Sequence, residues 1–238
     1  SLINQCSPYE VEKGLSKRLA QEFTTQLSSE MKRSGAHIRQ FKRNALKILD
    51  AFDKIEKRPG ERIQVGVVGE IYVKYSPLGN NNLVDFLVGE GAECTVPGLL
   101  DFCLYYIYHH LTEPGLCGME RVKLTLFMMA YKLFLGIQHG LIRIIEQHGR
   151  FKAPAPFEHT VARVERFIGL GCKMGEGWLL PAEMLELYDR GVKNIVCAQP
   201  FGCLPNHICG KGMMKPLKDA YPDMNIVAVD YDPSATRV

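Results

Sequence analysis

The chain has 238 residues, a formal net charge of +3 and a hydrophobic content of 46%. This length and composition predict one packed domain, or a domain with an appendage, and exclude an intrinsically disordered chain. No block rich in Lys and Arg alternates with aromatic residues, so nucleic acid is not an expected partner. The longest strongly apolar stretch, 124–135, is interrupted by Lys132 and is expected to be too short to cross a bilayer. The N-terminus does not resemble a signal peptide, and we expect a cytoplasmic protein without a membrane partner.

Cysteine is frequent in this sequence. A long, helix-rich chain without an export signal favours a reducing compartment, so free thiols are expected instead of disulfides. Cys103 lies in an apolar helical pattern and is predicted to be a packed core residue. The eight cysteines are Cys6, Cys94, Cys103, Cys117, Cys172, Cys197, Cys203 and Cys209.

Residues 1–61 predict a helical N-terminal segment. Apolar side chains recur at helical spacing, as at Leu15, Leu19 and Phe23. A break near Ser34 and the following glycine divides this pattern into a pair of helices.

Residues 62–238 follow a different pattern, with short apolar runs rich in β-branched residues before and after helical segments. Each strand, helix and strand in succession predicts a βαβ unit with parallel strands. The first unit consists of Ile63–Val68, a helix from Leu83 and Gly91–Val96, and the second of Asn194–Val196, roughly 207–220 and Asn225–Val229.

The region between the two units, about 98–190, is predicted to be a helical insertion that covers the sheet. The expected fold is therefore α/β, with a Rossmann-like parallel sheet of about four strands, helices on both faces and an N-terminal helical pair. The sequence stops just after a predicted strand, and we expect it to be a fragment of a longer protein.

Cys203 is the leading candidate for chemistry. The apolar run from Asn194 breaks at Pro200–Gly202, which places Cys203 on the loop that follows a strand. Open parallel sheets bind ligands at the carboxyl ends of their strands. A helix beginning nearby would favour the thiolate, which is the form that binds metal or attacks electrophiles.

Other cysteines are weaker candidates for metal ligation. Cys197, Cys203 and Cys209 are spaced six residues apart, but a strand, a loop and a helix would direct them differently. The sequence has no Cys-x-x-Cys pair, which is the strongest sign of a zinc or ferredoxin-type site. Cys172, in a glycine-rich loop, ranks second to Cys203, and the alternative for it is an ordinary thiol in a turn.

Three polar residues complete the candidate set. Glu70 and Asn81 belong to a loop after the first strand, where backbone N–H groups could bind a phosphate or carboxylate. The alternative for Asn80–Asn82 is helix capping and turn formation. His207 could donate a hydrogen bond to a cluster sulfur or carry a proton, or it could simply begin a helix.

The segments around 68–82, 194–209 and 229–237 resemble the 2-hydroxyacyl-CoA dehydratase component family. They are most similar to the C-terminal region of large CoA-substrate-specific enzyme activases of anaerobic bacteria. The resemblance covers roughly 62–238, and Pro200–His207, Pro-Phe-Gly-Cys-Leu-Pro-Asn-His, is its most specific part. It implies a 4Fe-4S cluster with Cys203 as one ligand. The family's other ligands come from a preceding α/β domain, which this chain is expected to lack. The chain alone is therefore expected to hold no intact cluster.

The resemblance also implies a function and partners. The chain would be an iron–sulfur-associated module for low-potential electron transfer linked to acyl-CoA dehydration. Its partners would be other domains of a parent protein or a dehydratase or activase, and an acyl-CoA is a candidate ligand. The rival hypothesis is a non-catalytic, Rossmann-like interaction module of a multidomain protein.

Overall fold

A parallel sheet lies at the centre of the structure, a computed structural model that describes residues 2–35, 38–112 and 121–232. The strands lie in the order β2-β1-β3-β4, and every pairing is parallel. The α/β prediction and its four-stranded parallel sheet are confirmed. The strands are β1 (Ile63–Gly69), β2 (Ala92–Thr95), β3 (Asn194–Pro200) and β4 (Asn225–Tyr231).

Helices surround this sheet on both faces, also as predicted. The helices before β2 are α1 (Leu2–Cys6), α2 (Leu15–Ser34), α3 (Ile38–Asp53), α4 (Ile71–Tyr75) and α5 (Leu83–Gly89). Those between β2 and β3 are α6 (Leu99–Thr112), α7 (Arg121–His148), α8 (Phe157–Val164) and α9 (Leu179–Asp189). A π-helical turn (Asn206–Gly210), a 3-10 turn (Lys211–Met213) and α10 (Met214–Ala220) connect β3 to β4.

The two central strands explain why the sequence folds in this way. The last five residues of β1 are all buried, as expected for a parallel strand covered on both faces. Alternate side chains point to opposite layers: Val68 joins the larger core with α6, α8 and α9, whereas Val67 packs with α4 and α5. Every residue of α9 from Leu179 to Leu187 is buried, and this helix packs against β1.

The N-terminal helical pair is confirmed, with Gly35 ending α2. Its apolar residues form a core of their own with the C-terminal half of α7, in which Leu49 and Phe52 meet Ile144. The N-terminal helices therefore pack on the helical insertion.

The apolar stretch at 124–135, predicted to be too short to cross a bilayer, belongs to a longer apolar helix. Lys132 points to solvent without interrupting the helix, and α7 continues for 28 residues. Among the described residues, α7 is the one helix long and apolar enough to cross a membrane by length and composition. Only 11% of its most apolar 18-residue window is buried in the structure.

Gly69 permits the close approach of β1 and β3 at the carboxyl edge. Its φ is 141°, and a Cβ there would lie 1.8 Å from the carbonyl oxygen of Ala198. The next residue, Glu70, donates its backbone N–H to the same oxygen at 3.1 Å. Only glycine can therefore end β1 here and begin α4 at once.

Candidate functional site

The loop after β3 places Cys203 beyond the carboxyl edge of the sheet, as predicted. The Cys203 N–H donates to the carbonyl of Pro200 at 3.2 Å, which closes a tight turn. The Cys203 carbonyl accepts the backbone N–H of His207 at 3.0 Å, so Cys203 directly precedes the helical segment. Its side chain is partly exposed. The thiol is therefore held at the start of a helix and remains accessible.

Asn206 links this thiol to a buried carboxylate. Its Nδ2 donates to Cys203 Sγ at 3.2 Å and to Glu176 Oε2 at 3.1 Å. A carboxylate only accepts hydrogen bonds, so the amide nitrogen must face Glu176. Both N–H bonds of the amide are used in this way, and its Oδ1 is buried without a hydrogen-bond partner in the described structure. The orientation that satisfies Glu176 therefore also directs an N–H at the sulfur.

Glu176 joins three segments at this edge. It is buried, and its Oε1 accepts the backbone N–H of Ile71, the first residue of α4, at 3.0 Å. The partial positive charge of a helix N-terminus favours a carboxylate there. Glu70 caps the same helix by accepting the Val73 N–H at 2.8 Å. The loop after β1, the glycine-rich loop and the loop after β3 are thus bonded together.

The glycine-rich loop is itself held in a fixed conformation. The hydroxyl of Tyr105, a buried residue of α6, lies 3.0 Å from the carbonyls of both Lys173 and Gly175. Gly177 has φ 46°, and a Cβ there would lie 2.1 Å from the Cys172 carbonyl. These contacts hold the loop in the conformation in which Glu176 meets Asn206. Cys172, in the same loop, is exposed.

A second polar group lies at the ends of β3 and β4. Gln199, buried in β3, donates through Nε2 to Asp230, and its Oε1 is another buried atom without a partner in the described residues. Lys211 Nζ lies 3.3 Å from Asp230 and His207 Nε2 lies 3.9 Å from it. The hydrogen bond from Gln199, and then the Lys211 and His207 charges, lower the pKa of Asp230. This carboxylate is therefore ionised and stabilised by its neighbours.

The remaining predicted residues have local roles. His207 Nδ1 lies 2.9 Å from the Cys203 carbonyl, so His207 adjoins the thiol through the backbone. Asn81 is exposed with φ 52°, and no hydrogen bond, ion pair or ring contact within the described ranges joins it to Cys203. Its neighbour Asn80 accepts the Leu83 N–H at 3.1 Å, as the capping interpretation predicts.

The other cysteines differ from Cys203 in their surroundings. Burial, and then the charge of Glu183, raise the pKa of the Cys197 thiol to about 12. Burial, and then the nearby Cys172, raise the pKa of Cys209. Both effects oppose the thiolate that a metal requires. Cys103 is only partly buried, so the expectation of a fully packed core residue was too strong.

The described part of the chain, 2–35, 38–112 and 121–232, contains no group of three or more His, Cys, Asp or Glu side chains that could hold a metal ion. The environment of Cys203 suits one iron ligand, because the thiol is accessible and receives an N–H. A complete cluster site needs several thiolates, and these residues do not supply them.

Sequence reasoning missed Glu176, Asn206 and Gln199. The contact of Asn206 could have been predicted from the sequence, because Asn206 follows Cys203 by about one helical turn and can donate a hydrogen bond back to it. The role of Glu176 depends on a contact between segments thirty residues apart. Comparisons of the chain with protein-family models, curated proteins and solved structures find no match.

Proposed function

We propose that this protein is an iron–sulfur-associated module that contributes a single thiolate, Cys203, to a 4Fe-4S cluster. The observation that carries the proposal is the N–H of Asn206 directed at Cys203 Sγ and fixed there by the buried Glu176. The similarity of Pro200–His207 to the 2-hydroxyacyl-CoA dehydratase components and activase-related proteins supports it.

The residues at this edge suit such a role for physical reasons. Hydrogen bonds to the sulfurs, together with burial, tune the reduction potential of an iron–sulfur cluster. Asn206 supplies one such bond. Its side chain is fully buried, so the surrounding residues hold the donor in place. When bound, the cluster would supply low-potential electrons for acyl-CoA dehydration or a related reduction.

The partners follow from the incomplete ligand set. The remaining ligands would come from other domains of a parent protein or from a dehydratase or activase partner in the cytoplasm. Such a partner would approach the partly exposed side of Cys203, next to the exposed Phe201 and Leu204. Cys172 is exposed, so it is the local candidate for a further ligand.

The test is the iron and acid-labile sulfide content of the protein isolated without oxygen from cells that also produce its partners. Cys203→Ser should remove most of both, because serine is a poor ligand for iron in such clusters. Cys94→Ser is the matched control, since Cys94 is buried in β2 away from this edge. Equal iron content in the wild type and Cys203→Ser would refute the proposal.

The rival function, a non-catalytic interaction module, is favoured by one observation, the exposed apolar side chains along α7. An interaction module would associate normally with its partners after Cys203→Ser and would contain no iron in any preparation. The iron analysis therefore separates the two hypotheses.

A further inference from the structure

A cavity of about 730 Å³ lies among α4, α6, α7 and the loop that follows β2. Val96 and Pro97, just beyond the carboxyl end of β2, form one wall, and Leu141 and Ile145 of α7 form another. Most of the lining is apolar. This volume is typical of sites that bind small molecules. None of the lining residues belongs to the group around Cys203, so the cavity is a separate candidate site.

The charged residues that line this cavity are paired, with one exception. Lys74 donates to both carboxylate oxygens of Glu183, at 2.7 and 3.0 Å. Glu186 accepts from the Ala155 N–H and from Arg190, each at 3.1 Å. Asp101 is the lining residue that has no ion-pair partner within the described ranges. The ion pairs along the lining are Lys17 with Asp85, Lys74 with Glu183, Lys152 with Glu93 and Arg190 with Glu186.

Asp101 has one carboxyl oxygen without a partner. Its Oδ1 accepts a hydrogen bond from Nε2 of the buried Gln138 at 2.5 Å. No hydrogen bond to Oδ2 is present within residues 2–35, 38–112 and 121–232. Oδ2 is the atom that a Cβ added at Gly98 would meet, at 3.9 Å, with open space otherwise around it. Both residues line the cavity, so an ionised Asp101 places an unpaired negative charge at its wall.

We propose that this cavity binds a small organic amine whose ammonium group pairs with Asp101 Oδ2. The ammonium would supply the cation and the N–H donor that this oxygen lacks, and charge-assisted hydrogen bonds are the strong ones. The apolar walls would bury an aliphatic or aromatic body and exclude water from it. A carboxylate ligand is disfavoured, because the Lys74 ammonium is already held by both oxygens of Glu183.

The surroundings of Asp101 predict how amine binding depends on pH. Burial, and then the charges of Glu183 and Glu186, raise the pKa of Asp101 to about 7. The carboxylate that an ammonium needs is therefore populated to about one-tenth at pH 6 and about nine-tenths at pH 8. An alkylammonium, like the lysine side chain, stays protonated over this range, so its affinity should rise up to about tenfold. The groups that face this carboxyl are Lys74 and Tyr75 from α4, Gln138 from α7, and Glu183 and Glu186 from α9.

Isothermal titration calorimetry with phenethylamine, phenethyl alcohol and hydrocinnamate tests the proposal, because these probes have similar bodies and differ in charge. At pH 8 the amine should bind about tenfold more tightly than the alcohol, and Asp101→Asn should remove that difference. Gly98→Leu keeps the carboxylate but fills the space beside Oδ2, so it should also weaken amine binding. Asp85→Asn is the matched control, since Asp85 is exposed, pairs with Lys17 and should leave the affinity nearly unchanged.

The outcomes are distinct. Weaker amine binding in Asp101→Asn and Gly98→Leu but not in Asp85→Asn, with melting temperatures showing folded protein, supports the proposal. A wild type that binds the amine no more tightly than the alcohol overturns it, as does equal amine affinity in the wild type and Asp101→Asn. Tighter binding of hydrocinnamate than of the amine would also overturn it, in favour of an anion site. None of these results depends on iron or on Cys203.

Discussion

Replacing Glu176 with Gln tests the hydrogen bonds around Cys203 by exchanging one oxygen for an amide group. Oε1 of Glu176 accepts the Ile71 N–H, so the oxygen of the introduced amide would keep that bond. Its nitrogen would then face Asn206 Nδ2, and two donors would oppose each other. The Asn206 amide should therefore reverse its orientation. Its Oδ1, which has no partner in the wild type, would then accept a hydrogen bond from the introduced amide nitrogen and lie against Cys203 Sγ.

The expected magnitudes follow from these bonds. The thiolate loses one N–H donor, which contributes about 1 kcal/mol, and gains a neighbouring carbonyl oxygen. The rate of alkylation at Cys203 should therefore fall about three- to tenfold. The free energy of unfolding should fall by about 1–3 kcal/mol, because the turned amide places its N–H groups at the buried position where Oδ1 now has no partner.

The assay is the rate of alkylation at Cys203, followed by mass spectrometry of the labelled peptides. Cys172 is exposed and provides an internal control in the same molecule. Cys203 should react more slowly in Glu176→Gln than in the wild type, while Cys172 reacts at an unchanged rate. Identical rates at Cys203 in the two proteins would refute the proposed orientation of Asn206.

Two further predictions concern ionisable side chains beside α9. Lys74 and Glu183 form an ion pair at 2.7 Å with both side chains almost fully buried. Lys74→Met should cost about 3–5 kcal/mol in urea unfolding, and combining it with Glu183→Leu should recover most of that loss; a double variant no more stable than Lys74→Met would contradict this account. Burial, and then the Glu183 and Glu186 charges, raise the pKa of Asp101 to about 7. The folded state therefore holds this proton more tightly than the unfolded state, and wild-type stability should fall as pH rises from about 4 to 7. Asp101→Asn should be more stable than wild type by about 1–4 kcal/mol at pH 8, with the gain vanishing near pH 4. A constant difference across that range would show that ionisation of Asp101 is not its cause.

Much of the sheet was predictable because its signals are local. The β-branched runs at Ile63 and Asn194 are long enough to identify buried strands, and their parallel direction follows from the helices between them. The position of Cys203 then follows from topology alone.

The parts that sequence reasoning missed depend on contacts between distant segments. Nothing near Glu176 indicates that its carboxylate meets the N-terminus of α4, more than a hundred residues earlier. The prediction that the apolar stretch at 124–135 is too short to cross a bilayer treats Lys132 as an interruption, although a charged side chain on the solvent-facing side is compatible with a continuous helix. The exposure of Cys103 depends on which side of α6 is covered, and the apolar pattern did not decide this.

Cysteine protection in the protein isolated without oxygen tests the central claim most directly. Alkylation and peptide mass spectrometry would be carried out before and after iron is removed with a chelator. Cys203 should be protected while iron is bound and labelled after its removal, whereas the buried Cys94 should behave alike in both samples. Labelling of Cys203 to the same extent with and without bound iron would contradict its assignment as a cluster ligand.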